Sequence, residues 1–118
     1  MKIEAHASGN TKIAEISSGQ MVITSAEDGL DLLGNLYYQG FDRIIIYESN
    51  ITPEFFDLKN GMAGEILQKF STYRVRLAIV GDFKKYQGTK LNDFITESNR
   101  GRQVNFVASL SEGLMKLS

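Results

Sequence analysis

Two hydrophobic rhythms alternate along the chain. From Lys2 to Ser17 polar and apolar residues take turns, with Ile3, Ala5 and Ala7 on one side and Lys2, Glu4 and His6 on the other, then Ile13, Ala14 and Ile16. A period of two predicts strands with one exposed face, here a hairpin closed at Gly9-Asn10 with its first strand at a sheet edge. Met21-Val22-Ile23 then either continues the second strand after a bulge or runs into a helix. From residue 24 the rhythm changes. Thr24 to Glu27 has the spacing of a capping box, and Gly29, Leu32, Leu33 and Leu36 form one helical face before Gly40 stops the helix. Gly29 and Gly34 cost that helix about 1 kcal/mol each relative to alanine, which close packing or simple tolerance would explain.

The centre of the chain reads as strand, crossover helix, strand. Ile44, Ile45, Ile46 and Tyr47 form an unbroken apolar run, and Leu77, Ala78, Ile79 and Val80 form another. Strands apolar at every position are covered on both faces, which points to a parallel sheet between helix layers. Between them Thr52-Pro53 has the form of an N-cap followed by proline in the first turn. Ala63, Ile66, Leu67 and Phe70 follow at i, i+3, i+4, i+7, with Glu65 and Lys69 paired on the outside. Thr89 opens a third helix with Leu91, Phe94 and Ile95 inward, broken at residues 99–102. Val104 to Ala108 makes a last strand, and Ser109 with Glu112 caps a terminal helix carrying Leu110, Leu114 and Leu117. The order is β-β-α-β-α-β-α-β-α, an α/β domain spanning residues 1–118. Its mixed, mostly parallel five-stranded sheet has one antiparallel edge strand.

Composition narrows the function. No apolar stretch approaches the roughly 20 residues that span a bilayer, and the first dozen residues lack the apolar core of a signal peptide. Cysteine is absent and there is one histidine, which removes disulfides and thiol chemistry and argues against a structural zinc site. A cytoplasmic protein is the simplest reading. Thirteen basic against fourteen acidic residues, a net charge of −1, give no general attraction to nucleic acid or to a membrane.

Candidate chemistry gathers at the carboxyl ends of the strands, where sheets of this kind place their sites. That edge holds Glu48, Ser49, Asn50, Asp57, Gly81, Asp82 and Ser109. Glu48 and Asp82 end adjacent strands and are placed for acid/base work or a cation, or for ordinary capping and solvation. Asp57, Lys59 and Asn60 lie where the crossover helix begins, placed to receive an anion or a partner's carboxylate, or simply to cap. Arg100 and Arg102 are spaced to clamp a phosphate or an acidic partner, with Glu97 or Asp93 as competing salt-bridge partners. Phe55, Phe56 and Tyr86, bulky residues near loops, make a partner-binding patch if exposed and close the core if buried. His6 reads as a surface residue with no partner to orient it. No nucleophile elbow, Walker loop or dinucleotide fingerprint occurs, so no catalytic residue, metal or cofactor is expected.

Two resemblances add to this. NITPEFFDLKNGMAGEILQKF, YRVRLAIVGDF and FITESNRGRQVNFVASLSEGLMKL resemble a bacterial family known only as a domain of unknown function, over nearly the whole chain. More distantly, the element order resembles the STAS domain of anti-sigma-factor antagonists. There an apolar strand leads to a D-S-[ST]-G turn and a helix reading roughly G-x-I-L-x-x-[FY], matched here by Gly64, Ile66, Leu67 and Phe70. The turn departs, with Lys59-Asn60-Gly61-Met62 or Asp57-Leu58-Lys59-Asn60 in register and no acceptor serine in either. The resemblance implies a STAS-like regulatory or protein-interaction module without a serine switch. Its protein partner would contact the edge that includes Phe56. A small anionic ligand at the same edge is the alternative.

Overall fold

The computed structural model describes residues 1–86 and 88–118. The hairpin is β1 (Lys2–Ser8) and β2 (Thr11–Ser17). Helix α1 (Ala26–Tyr38), β3 (Arg43–Tyr47), α2 (Met62–Thr72), β4 (Arg76–Val80), α3 (Thr89–Arg100), β5 (Val104–Val107) and α4 (Leu110–Leu117) come next. Short 3-10 turns at Glu48–Asn50, Pro53–Phe56, Leu58–Asn60 and Phe83–Lys85 fill the loops after β3 and β4. The sheet order is β1-β2-β3-β4-β5, with the first pair antiparallel and every other pair parallel. The α/β class, the element order and the parallel neighbours 44–47, 77–80 and 104–107 are as the sequence predicts. No helix among the described residues is long and apolar enough to cross a membrane.

Strands laid down in chain order with right-handed crossovers must carry α1, α2 and α3 on the same face. The core divides accordingly. Ala14, Ile16, Ile44, Ile46, Leu77, Ile79, Val104 and Phe106 bury under Leu33, Leu36, Ile66, Phe70 and Leu91. The opposite face has α4 alone, whose Leu117 covers Ile13, Ile45, Ala78, Val80 and Val107. One helix cannot cover five strands. The outer face of the hairpin is therefore open, and β1 is exposed along its whole length except at half-buried His6.

Local details differ from the sequence pattern in three places. The N-cap of α1 is Ser25, whose Oγ accepts from Asp28 N at 3.1 Å, while Thr24 donates its own N–H and hydroxyl to the Asp28 carboxylate. The cap sits one residue later because Ser25 is the last extended residue, at φ −152°. Residues 21–23 neither extend β2 nor begin a helix. Val22 N and Ile23 N both donate to Asn50 O, and Ile23 bridges Ile51. Thr52-Pro53 caps the short turn Pro53–Phe56, and α2 starts only at Met62, after Gly61 at φ +80°. Gly29 is a close-packing glycine: a Cβ there would lie 2.7 Å from Ile66 Cδ1, so α1 and α2 touch through it, whereas Gly34 faces open space.

Phe70 is 1% exposed and Lys69 lies on the solvent side of α2. Phe70→Ala should cost about 3–5 kcal/mol and Lys69→Ala under about 0.5 in denaturant unfolding. Equal losses would refute the assigned helix face.

Candidate functional site

Glu48 leaves the end of β3 and is 7% exposed. A buried carboxylate is costly unless it is paired and hydrogen-bonded. Two residues of the β4–α3 loop do both: Tyr86 donates its hydroxyl to Oε2 at 2.8 Å, and Lys85 Nζ sits 2.8 Å from the same oxygen. Gly81 leaves the space they need, since a Cβ there would stand 2.5 Å from Glu48 Cβ. Burial, then the hydrogen bond and charge of Glu48, push the Tyr86 phenol up to about 12. The Tyr86 ring stacks on Phe56 at 4.5 Å, Phe56 meets Phe55 edge-on, and Phe83 meets Phe106. Phe55 and Phe56 are 2% and 5% exposed, so they close the core and form no flat patch for a partner. The aromatic row seals the carboxyl ends of the sheet.

The remaining sequence candidates separate. Asn50 is buried, its amide donating to Ser18 O at 2.8 Å and Gln20 O at 2.9 Å, so it fastens the loop after β2. Asp57 accepts from Lys59 N, and Asn60 accepts from Met62 N at 2.9 Å while donating to Glu54 O, which makes both capping residues. Asp82 caps the Phe83–Lys85 turn through Lys84 N. It does not pair with Glu48, so the two carboxylates form no joint acid/base or cation site. Arg100 bonds Glu97 at 2.9 Å, and the carbonyl of Arg102 accepts from Arg76 Nε. Arg100 ends α3 and Arg102 follows it before β5, at the opposite end of the strands from Glu48, and no anion clamp among the described residues joins them to the carboxyl edge.

Around the Glu48–Tyr86 lock the surface is concave. A cleft of about 460 Å³ is lined by Phe56, Asp57, Lys59, Lys85, Tyr86 and Lys90, beside the first turn of α3. That turn starts at Gly88, at φ +140°, with no side-chain cap among the described residues and no acidic residue in it. Its first N–H groups, which have no partner within the helix, carry the positive end of the helix dipole toward a cleft lined by Lys59, Lys90 and Asp57, with Lys85 paired to Glu48. A second, wider hollow on the other side of Phe83 is lined by Asp82, Ile95, Phe106 and Glu112.

Sequence reasoning missed Lys85 and Lys90, which carry no motif and matter only because two loops meet. It also missed a polar cluster on the open face of the hairpin. His6 Nε2 lies 2.8 Å from Glu15 Oε1, and Tyr47 donates to Glu15 Oε2 at 2.6 Å, so His6 does have an orienting partner. Burial favours the neutral form of Glu15, yet the bonds from Tyr47 and His6 hold its carboxyl below the usual range. Tyr47 is pushed up to about 12, by burial first. Ligand atoms of Glu4, His6 and Glu15 lie within 4.8 Å of one another, close enough to share a metal ion, although His6 and Glu15 already satisfy each other. The alternation that puts Glu4 and His6 on one face was visible. The register that adds Glu15 and Tyr47 was not.

Comparison with known proteins gives one result. Residues 8–117 match the family described as a domain of unknown function, DUF4180. The chain belongs to that family. No curated protein and no solved structure matches it. In this DUF4180 chain the matched segment takes in the cleft and the aromatic row, while most of β1 lies before it.

Tyr86 supplies a direct test of the lock. Its folded pKa is raised, so its contribution to stability is complete below about 10 and lost as pH climbs through about 12. Phenolate absorbance should show a late step carrying two phenols, Tyr47 and Tyr86, that Tyr86→Phe reduces by about half. Gly81→Ala should lower that step and cost about 1–3 kcal/mol, because the new methyl displaces Glu48. An unchanged titration in Gly81→Ala would show that the lock does not depend on this contact.

Proposed function

We propose that the chain is a binding module for a small anionic ligand, most simply one bearing a phosphate group, held in the cleft between the 53–60 loop and the start of α3. The observation that carries this reading is the meeting of Lys59 and Lys90, with Lys85 held by Glu48 beside them, at a helix N-terminus with no side-chain cap among the described residues, in a protein whose overall charge is −1. Backbone N–H groups at such a terminus and nearby ammonium groups suit an oxyanion. The volume falls within the roughly 300–1,000 Å³ common for small-molecule sites.

Binding without chemistry is the reading we favour. Glu48, the buried carboxylate nearest the cleft, is committed to Lys85 and Tyr86 and is a poor free base. A protein partner at residues 52–61 would have to be held by the exposed polar residues of that edge, because the aromatic anchors are buried. The likeness in element order to STAS domains supports a regulatory use, with ligand occupancy as the signal where the acceptor serine is missing.

Isothermal titration with inorganic pyrophosphate tests this. Wild type should bind, and Lys59→Glu with Lys90→Glu should weaken binding at least about tenfold, each reversed charge costing about 1 kcal/mol or more. Lys69→Glu, on the outer face of α2, should leave it unchanged. Equal affinity in all three proteins would remove the cleft from consideration.

A further inference from the structure

The strand β1 has a neighbour on one side only. Its other side presents a row of unpaired backbone N–H and C=O groups, a template that natural proteins usually blunt with proline, a bulge, central lysines or a short strand. β1 has none of these. It runs seven residues, pairs with β2 in unbroken register from Lys2↔Ser17 to Ser8↔Thr11, contains no proline, and has its one lysine at the end. Apolar residues stand exposed on it and just before it: Met1 at 69% and Ile3 at 38%.

The side-chain sequence of β1 is complementary to itself. A two-fold axis perpendicular to the sheet keeps each face continuous across an antiparallel pair of copies. Centred on Ala5, it sets Ala5 against Ala5, Ile3 against Ala7, and Glu4 against His6 of the second copy. Each histidine would then lie between Glu15 of its own chain, already 2.8 Å away, and a glutamate of the other. Moving the axis to Glu4 opposes two glutamates, and moving it to His6 opposes two histidines. Moving it to Ile3 sets Lys2 against Glu4 but pairs only residues 1–5, so the Ala5 register is the one that sets Glu4 beside a hydrogen-bonding partner while using the whole strand. The open face beside β1 leaves room for the second sheet, since α4 lies over β3, β4 and β5 and meets the hairpin only at Ile13 of β2.

We propose that β1 is a self-association edge, where two copies of the chain pair antiparallel about Ala5 to form one continuous ten-stranded sheet. Isologous pairing of this kind closes on itself and gives a dimer, with no free β1 edge left to propagate. The surface is separate from the anion cleft, which lies at the carboxyl edge of β3 and β4.

Sedimentation equilibrium on the full chain should give a concentration-dependent rise from 13.2 kDa toward twice that mass. Ala5→Lys, at an exposed position, should be monomeric with an unchanged circular dichroism spectrum, and so should Ala5→Glu. Mixing the two should restore a dimer, because the opposed residues then attract. Because the chain has no cysteine, Ala5→Cys provides a second probe. Mild oxidation should link it into a dimer at least about tenfold faster than Ala7→Cys, whose counterpart lies opposite Ile3 and out of disulfide reach. A monomeric mass throughout the millimolar range would overturn the proposal. So would a dimer that survives Ala5→Lys, a mixture that stays monomeric, or equal cross-linking of the two cysteine variants.

Discussion

The structure depends on one topological constraint. Each new parallel strand is added beside the last, and every crossover turns the same way. Three helices are thereby committed to one face, and the other has only α4, the helix after β5. This asymmetry explains why β3, β4 and β5 are buried on both faces and why β1, beyond the reach of α4, is not. It also removes the reversal of strand order that opens a ligand crevice in doubly wound sheets. With no crevice supplied by topology, the carboxyl edge becomes whatever its loops make of it.

Those loops make a sealed rim with a shallow basic cleft beside it. The row from Phe55 through Phe56 and Tyr86 covers the strand ends, and Glu48 fixes the row by binding Tyr86 and Lys85 from below. Burying a carboxylate for packing alone would be wasteful, as a hydrophobic residue of similar size often serves as well. Here the carboxylate ties a loop to the sheet, and that loop carries one of the three lysines of the cleft. The link from packing to proposed function therefore runs through Glu48 and through Gly81, which makes room for it.

Much of the fold was legible because its signals are local. Ile44-Ile45-Ile46 and Leu77-Ala78-Ile79 announce doubly covered strands, and Ile66 and Phe70 announce the buried side of α2. The site was only partly legible. Glu48, Asp57 and Lys59 were found because they follow a strand or precede a helix. Their roles depend on Tyr86 and Lys90, which reach the same place from a different loop, a meeting that no spacing in the chain encodes. Arg100 and Arg102 misled for the same reason: the pair looks like a clamp in sequence, yet it lies where α3 ends, on the far edge, with Arg100 bonded to Glu97 and the Arg102 carbonyl taken by Arg76. Asn50 shows a subtler failure, since a buried amide bridging Ser18 and Gln20 has the same sequence signature as a binding residue.

The central claim is that the carboxyl edge carries one anion site built from two loops. Backbone amide chemical shifts followed while pyrophosphate is added test it most directly, because they report location without altering any residue. The account predicts shifts concentrated at Lys59, Lys85, Thr89 and Lys90, saturating together with a single affinity. Shifts confined to the Arg100–Arg102 end, or no saturable shift anywhere, would contradict it.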